Sequence, residues 1–447
     1  MKKSAATFTQ GSLNHHVRRM AFTSAFGLLA IFLTDILTLT YVAMLHDEVL
    51  TAAVGIAKTL AFFNSSLVAG TLVAAGTLIS RRLGHGSGAS VPALATHALI
   101  LTALLSICVS IIEWVALDFF ASLLGAHAPS SMPARHFIAM TLVASVLMAL
   151  IQASAQALRA IGHAGRALTV VLSNAVCLSI VDPLLIFGAN LKLPGAGMAC
   201  LIAGLVGCLV GCQQVRKHVG LTTRVHVRLL WLYGMRLSRI ALPYTLANLA
   251  MPIALTFTMA QLAMFGVSVM AGMAVMDRVL QFTYCLYFAL PGALVPILAQ
   301  NLAAHRTARS QAVLQSAAKL VVMHGLFAWA ALLTISPWLG RAFALSGPGL
   351  AFLEDLLRFG PGLWIIFGLD FIAISVFICR GHTCWVTVYA WLRATLGTFP
   401  FVTAGATLFG ASGVMLGMWL GNALVALASI GTAIWLNRHG VYQAHEG

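Results

Sequence analysis

Acidic residues are scarce in this chain: 11 Asp and Glu stand among 447 residues, and charged residues of both signs make up only 8 %. A soluble protein of this length needs far more charge to wet its surface, so a soluble fold is excluded. Short stretches of alternating polarity, the mark of an outer-membrane β-barrel, are also missing. The eight cysteines, among them Cys108, Cys177, Cys208, Cys285 and Cys379, form no Cys-x-x-Cys pair of the kind zinc ribbons and dithiol redox centres use. They read as reduced packing residues inside apolar helices. No Gly-x-Ser-x-Gly elbow, Walker A lysine loop or His-Glu-x-x-His helix occurs. That leaves no soluble catalytic site and no self-contained ATP-driven pump, and the chain is not expected to be an enzyme or to need a cofactor or metal.

What is present is apolar sequence: 60 % of residues are hydrophobic and the mean hydropathy is +0.95. Runs long enough to cross a bilayer, about 20 residues each, fall near 21–45, 51–79, 91–113, 134–158, 167–188, 195–214, 238–263, 271–299, 314–338, 360–379, 384–407 and 413–436. Only helices and closed barrels satisfy their backbone in lipid, so the expected fold is all-α and polytopic, with twelve transmembrane helices.

The net charge of +15 does not point to nucleic acid, because the basic residues gather in alternate loops. Lys2, Lys3, Arg18, Arg19, Arg81, Arg82, Arg159, Arg166, Arg216, Lys217, Arg224, Arg228, Arg236, Arg239, Arg306, Arg309, Lys319, Arg380 and Arg438 fall on one side; Arg135, Lys192, Arg341 and Arg358 fall on the other. The positive-inside rule then places both termini in the cytoplasm and the chain in the inner membrane. Arg18–Arg19 reads as an anchor flank and the run after it as a retained first helix. The expected division is a tail at 1–20, a six-helix bundle at 21–215, a basic linker at 216–236, a second bundle at 237–437 and a tail at 438–447.

The two halves repeat. About 220 residues after Lys58 and Leu78–Arg81 stand Arg278 and Leu298–Asn301; Gly162–His163, Pro183 and Gly195–Met198 find echoes in Gly381–His382, Pro400 and Gly410–Met415. The matching places of His163 and His382 point to loop structure rather than to a catalytic pair.

Three acids sit deep in apolar sequence: Asp35, Asp182 and Asp370. A carboxylate at membrane depth is costly and marks an ion or proton pathway by default. Desolvation favours its neutral form, and a hard cation such as sodium prefers oxygen ligands. Asp35 has Thr34, Thr38 and Tyr41 at nearby helical positions, and Asp182 precedes Pro183, whose missing N–H breaks a helix and frees carbonyls beside the acid. Asp277 with Arg278, and Glu113 and Asp118, read as interfacial; Asp47, Glu48, Glu354, Asp355 and Glu446 read as helix ends and loops. Polar side chains for a substrate cleft are Asn64, Gln152, Gln156, Asn174, Tyr244, Asn248, Thr256, Gln261, Tyr284 and Tyr287, with Phe62, Phe63 and Phe282 nearby. As a group they suit a large, partly apolar ligand.

Ala52–Gly55, Leu158–Gly162, Val181–Leu185 with Gly195–Gly197, and Leu298–Asn301, in that order, resemble the multidrug and toxic compound extrusion (MATE) family. The resemblance covers nearly the whole chain. It implies two six-helix bundles related by a pseudo-two-fold along the membrane normal, forming a V-shaped cleft that rocks to expel substrate against inward flow of protons or sodium. Asp182 matches a family acid before the fifth-helix proline. Thr38 stands where the first-helix acid is expected, with Asp35 one turn earlier on the same face; Leu178 replaces an asparagine of one branch, and Asp370 falls near a tenth-helix acid of another. The expected function is ion-coupled export of amphipathic or cationic organic compounds by a monomer in the bilayer, with no nucleic-acid partner. The rivals are a lipid-linked sugar flippase, which Arg393 favours, and an exporter of one metabolite.

Overall fold

In a computed structural model, which describes residues 6–123, 132–223 and 225–439, the chain is helical in both halves. Lys2, Lys3, Arg224 and Glu446 lie outside the described residues. The helices are α1 (Leu13–Ala43), α2 (Glu48–Gly84), α3 (Val91–Val115), α4 (Leu117–Leu123), α5 (Met132–Ala160), α6 (Ala164–Pro183) and α7 (Lys192–His218). They continue with α8 (Val227–Ala263), α9 (Val267–Thr283), α10 (Cys285–Ala303), α11 (Thr307–Ala342), α12 (Gly347–Arg380), α13 (Cys384–Ala394) and α14 (Phe399–His439).

Among the described residues, eleven helical stretches are long and apolar enough to span a membrane, the last of them the 56-residue segment Cys384–His439. That segment contains two crossings. Gly410, at φ 62° and ψ −143°, breaks α14, and the chain doubles back on itself. A Cβ on Gly405 would lie 2.0 Å from the carbonyl oxygen of Gly413, one on Gly417 would lie 2.3 Å from that of Phe401, and one on Gly421 would lie 2.1 Å from that of Gly397. Such backbone-to-backbone approach requires glycine and makes a tight antiparallel hairpin. Counting its two arms gives the twelve spans read from hydropathy.

The repeat glycines have a physical reason. Gly162 (φ 91°) and Gly381 (φ 87°) adopt the left-handed backbone that ends α5 and α12. His163 N–H donates to Leu158 O and His382 N–H to Phe377 O, each at 2.9 Å, closing the same C-terminal cap in both halves. The two histidines are therefore loop residues that close caps.

Chain contacts divide the molecule into two compact units. One holds residues 1–10 and 26–241, the other residues 11–25 and 242–447. In the first, α5 packs on α2, α3, α6 and α7, and its core includes Ile79, Leu94, Ile151, Leu158 and Val170. The basic stretch after α7 is held to this unit: Thr222 N–H donates to Thr96 Oγ1 at 3.0 Å, and His97 and Tyr233 rings meet at 5.1 Å. In the second, α12 packs on α9, α10, α11 and α14, around the ring cluster of Tyr284, Tyr287, Trp364 and Trp419.

Candidate functional site

Each of the three deep acids has a different setting. Asp182 is the penultimate residue of α6, where Pro183 ends regular α-helix and the chain passes into a π turn over Leu184–Gly188. Its side chain is 1 % exposed. Thr38 of α1, fully buried, donates through Oγ1 to Asp182 Oδ2 at 2.6 Å. The other oxygen, Oδ1, is buried with no hydrogen-bond partner among the described residues. The Thr38 hydroxyl thus holds one carboxyl oxygen and leaves the other free where α1 and α6 meet.

Asp35 lies one turn before Thr38 and forms an ion pair with Lys58 of α2. The two side chains are 45 % and 29 % exposed, so neither charge is fully desolvated. Through Asp35 the ammonium of Lys58 stands one helical turn from Thr38, the residue that holds Asp182. The first unit therefore holds two neighbouring contacts on α1, Lys58 to Asp35 and Thr38 to Asp182.

Asp370, in α12 of the second unit, is 1 % exposed and pairs with Arg393 of α13. Its Oδ1 is also without a partner among the described residues. Arg393 is committed to this acid.

The polar residues read as cleft lining separate into groups. Asn64, Gln156 and Asn174 are buried in the first unit; Asn64 bonds Ser106 and Ser110, and Gln156 Oε1 accepts from Arg159 at 3.0 Å. Tyr284 and Tyr287 are fully buried in the ring cluster, with Tyr287 OH donating to Val321 O at 2.9 Å. Gln152, Tyr244, Asn248 and Gln261 are half-buried, and Thr256 is turned onto its own helix by a 2.9 Å bond to Pro252 O. A shallow recess of about 650 Å³, lined by Phe399, Pro400, Thr403, Ala404 and Thr407, includes none of the three acids.

One sequence reading gains detail and one needs correction. Glu113, two residues before the end of α3, is 1 % exposed inside the first unit, where α2 and α5 pack on α3. Asp277 and Arg278 do not pair with each other; Gln281 bridges them, at 2.8 Å to Asp277 and 3.1 Å to Arg278. Neighbours on one helix point about 100° apart, whereas positions three and four residues on share a face.

These features define an all-helical, multi-pass membrane protein with ionisable residues set within its spans. The MatE family model matches residues 24–184. The "Uncharacterized 21 kDa protein in iaaL 5'region" of Pseudomonas savastanoi is 35 % identical over 232 residues, covering 51 % of this chain and 76 % of that protein. The FAD transporter of Shewanella oneidensis is 25 % identical over 419 residues, 92 % of each chain. The bent form of the Vibrio cholerae MATE transporter VcmN superposes with a TM-score of 0.89 at 20 % identity, over 96 % of this chain and 98 % of that one. The chain belongs to the MATE family of transporters.

Proposed function

We propose that this transporter is an ion-coupled exporter of amphipathic organic compounds, with Asp182 as the group that exchanges the coupling cation, a proton or sodium. The observation that carries this reading is the 2.6 Å contact from Thr38 to Asp182, buried and with Oδ1 unpartnered. A buried carboxyl with one satisfied oxygen has a place for one more positive charge. Thr38 ties that event to α1, and Pro183 with the π turn gives α6 a yielding segment beside it. Occupation of Asp182 weakens its demand on the Thr38 hydroxyl and so loosens α1 from α6. If that shift lowers substrate affinity, linkage requires substrate to weaken cation binding by the same factor. Rocking of the two bundles and an inner-membrane location with cytoplasmic termini belong to the same proposal.

Asp35 and Asp370 take secondary roles in this reading, since each already has a basic partner. A flippase for a lipid pyrophosphate loses its main support, because Arg393 is tied to Asp370. Export of one metabolite is favoured by the near full-length similarity to a FAD transporter. The test is reconstitution in liposomes, following ethidium, norfloxacin and FAD under separately imposed proton and sodium gradients. Movement of a cationic dye driven by one gradient supports antiport of organic compounds and names the ion. Gradient-driven movement of FAD alone supports the metabolite reading, and movement of none overturns both.

A further inference from the structure

A polar stripe runs along α3 through Thr102, Ser106, Ser110 and Glu113, at the spacing that keeps residues on one helical face. All four are buried, Glu113 to 1 % exposure. Thr102 meets Thr71 of α2 at 3.3 Å. Further along, Asn64 of α2 donates through Nδ2 to Ser106 O at 3.2 Å and to Ser110 Oγ at 2.9 Å. Ser106 Oγ donates back to Asn64 Oδ1 at 2.8 Å, and Ser110 Oγ donates to Leu142 O of α5 at 3.1 Å.

Both hydrogens of the Asn64 amide and both hydroxyl hydrogens are therefore committed within this network. Glu113 lies beyond the reach of these bonds: its two carboxyl oxygens are buried without a hydrogen-bond partner among the described residues. The Asn64 carboxamide is the polar group beside it. The charged residues on the packed helices are Glu48, Lys58, Arg81 and Arg82 of α2, Asp118 of α4, and Arg135, His136 and Arg159 of α5. None of these forms an ion pair or a hydrogen bond with Glu113 among the described residues. The cluster is thus rich in acceptor oxygens and short of positive charge, and a bare carboxylate in such a place is strongly disfavoured.

We propose that Glu113, together with the Asn64, Ser106 and Ser110 network beside it, is a site for one monovalent cation, a proton or a sodium ion, separate from Asp182. A single carboxylate balances one charge. Amide, hydroxyl and carbonyl oxygens are the ligands a hard cation takes, and a proton on the carboxyl equally removes the buried charge. The site lies wholly within the first unit, so it stands or falls independently of the export reading.

The experiment is thermal unfolding of the purified full-length protein in detergent, in two arms. One exchanges choline chloride for sodium chloride at fixed pH and ionic strength; the other varies pH through neutrality without sodium. The wild type is expected to gain stability with one of the two cations, and Glu113→Gln, a neutral isostere, to lose part of that gain while matching or exceeding the wild type in cation-poor buffer. Asp182→Asn removes the other proposed site, so it is expected to lose its own share of the gain and to keep the share that Glu113→Gln loses. Ser110→Ala, a smaller change that keeps the fold if Glu113→Gln does not, should move the titration midpoint to roughly tenfold higher cation concentration. A sodium response names sodium, and a response to pH alone names the proton. Wild-type behaviour of Glu113→Gln in both arms, a wild type that responds to neither cation, or an unmoved midpoint in Ser110→Ala would overturn the proposal.

Discussion

Thr38 Oγ1 donates a 2.6 Å hydrogen bond to Asp182 Oδ2 across 144 residues of sequence, with both side chains buried. The contact joins α1 to the proline-terminated end of α6, the place where helix geometry changes from α to π. Removing the donor leaves a buried acceptor unsatisfied, which costs about 1–3 kcal/mol. Thr38→Val, which keeps the shape and loses the hydroxyl, should lower the thermal unfolding temperature in detergent, and Thr38→Ser should restore most of it.

The Asp35–Lys58 pair is partly exposed, so solvent screens it and its coupling should be modest, about 1 kcal/mol or less. A double-mutant cycle with Asp35→Asn and Lys58→Met, read as unfolding temperature, is expected to show the double variant nearer to wild type than the sum of the singles implies.

The Asp370–Arg393 pair is enclosed more tightly, with the acid at 1 % exposure. Arg393→Met alone strands a buried carboxylate and should destabilise by about 3–5 kcal/mol. Adding Asp370→Asn should recover much of the loss, a contrast with the Asp35 pair that expression level and unfolding temperature both report.

The hairpin at Gly410 predicts a sharp positional contrast. Gly405→Val places a branched side chain where even a Cβ would meet the Gly413 carbonyl oxygen at 2.0 Å, whereas a Cβ on Gly431 meets nothing within 4 Å. Gly405→Val should fail to yield folded protein, and Gly431→Ala should behave as wild type on size-exclusion chromatography in detergent.

The spans were legible in the sequence because twenty apolar residues in a row leave the backbone no alternative to helix in lipid. The repeat was legible through Gly162 and Gly381, since a helix cap that needs positive φ holds glycine in place. The partners of the acids were harder to read. Lys58 and Arg393 each stand 23 residues from the acid they pair with, and which faces of two helices meet depends on rotation that hydropathy does not encode. The burial of Glu113 was hidden for a related reason: nearness to the end of an apolar run measures depth along the membrane normal, whereas burial depends on which neighbours cover that face. The link from Thr38 to Asp182 was half visible, as an unusual hydroxyl at the position where the family resemblance expects an acid.

The most direct test of the coupling assignment is gradient-driven efflux by Asp182→Asn in liposomes, compared with its gradient-free exchange of the same substrate. The account predicts that exchange persists while acceleration by the driving cation gradient is lost. Acceleration equal to wild type in Asp182→Asn would contradict it.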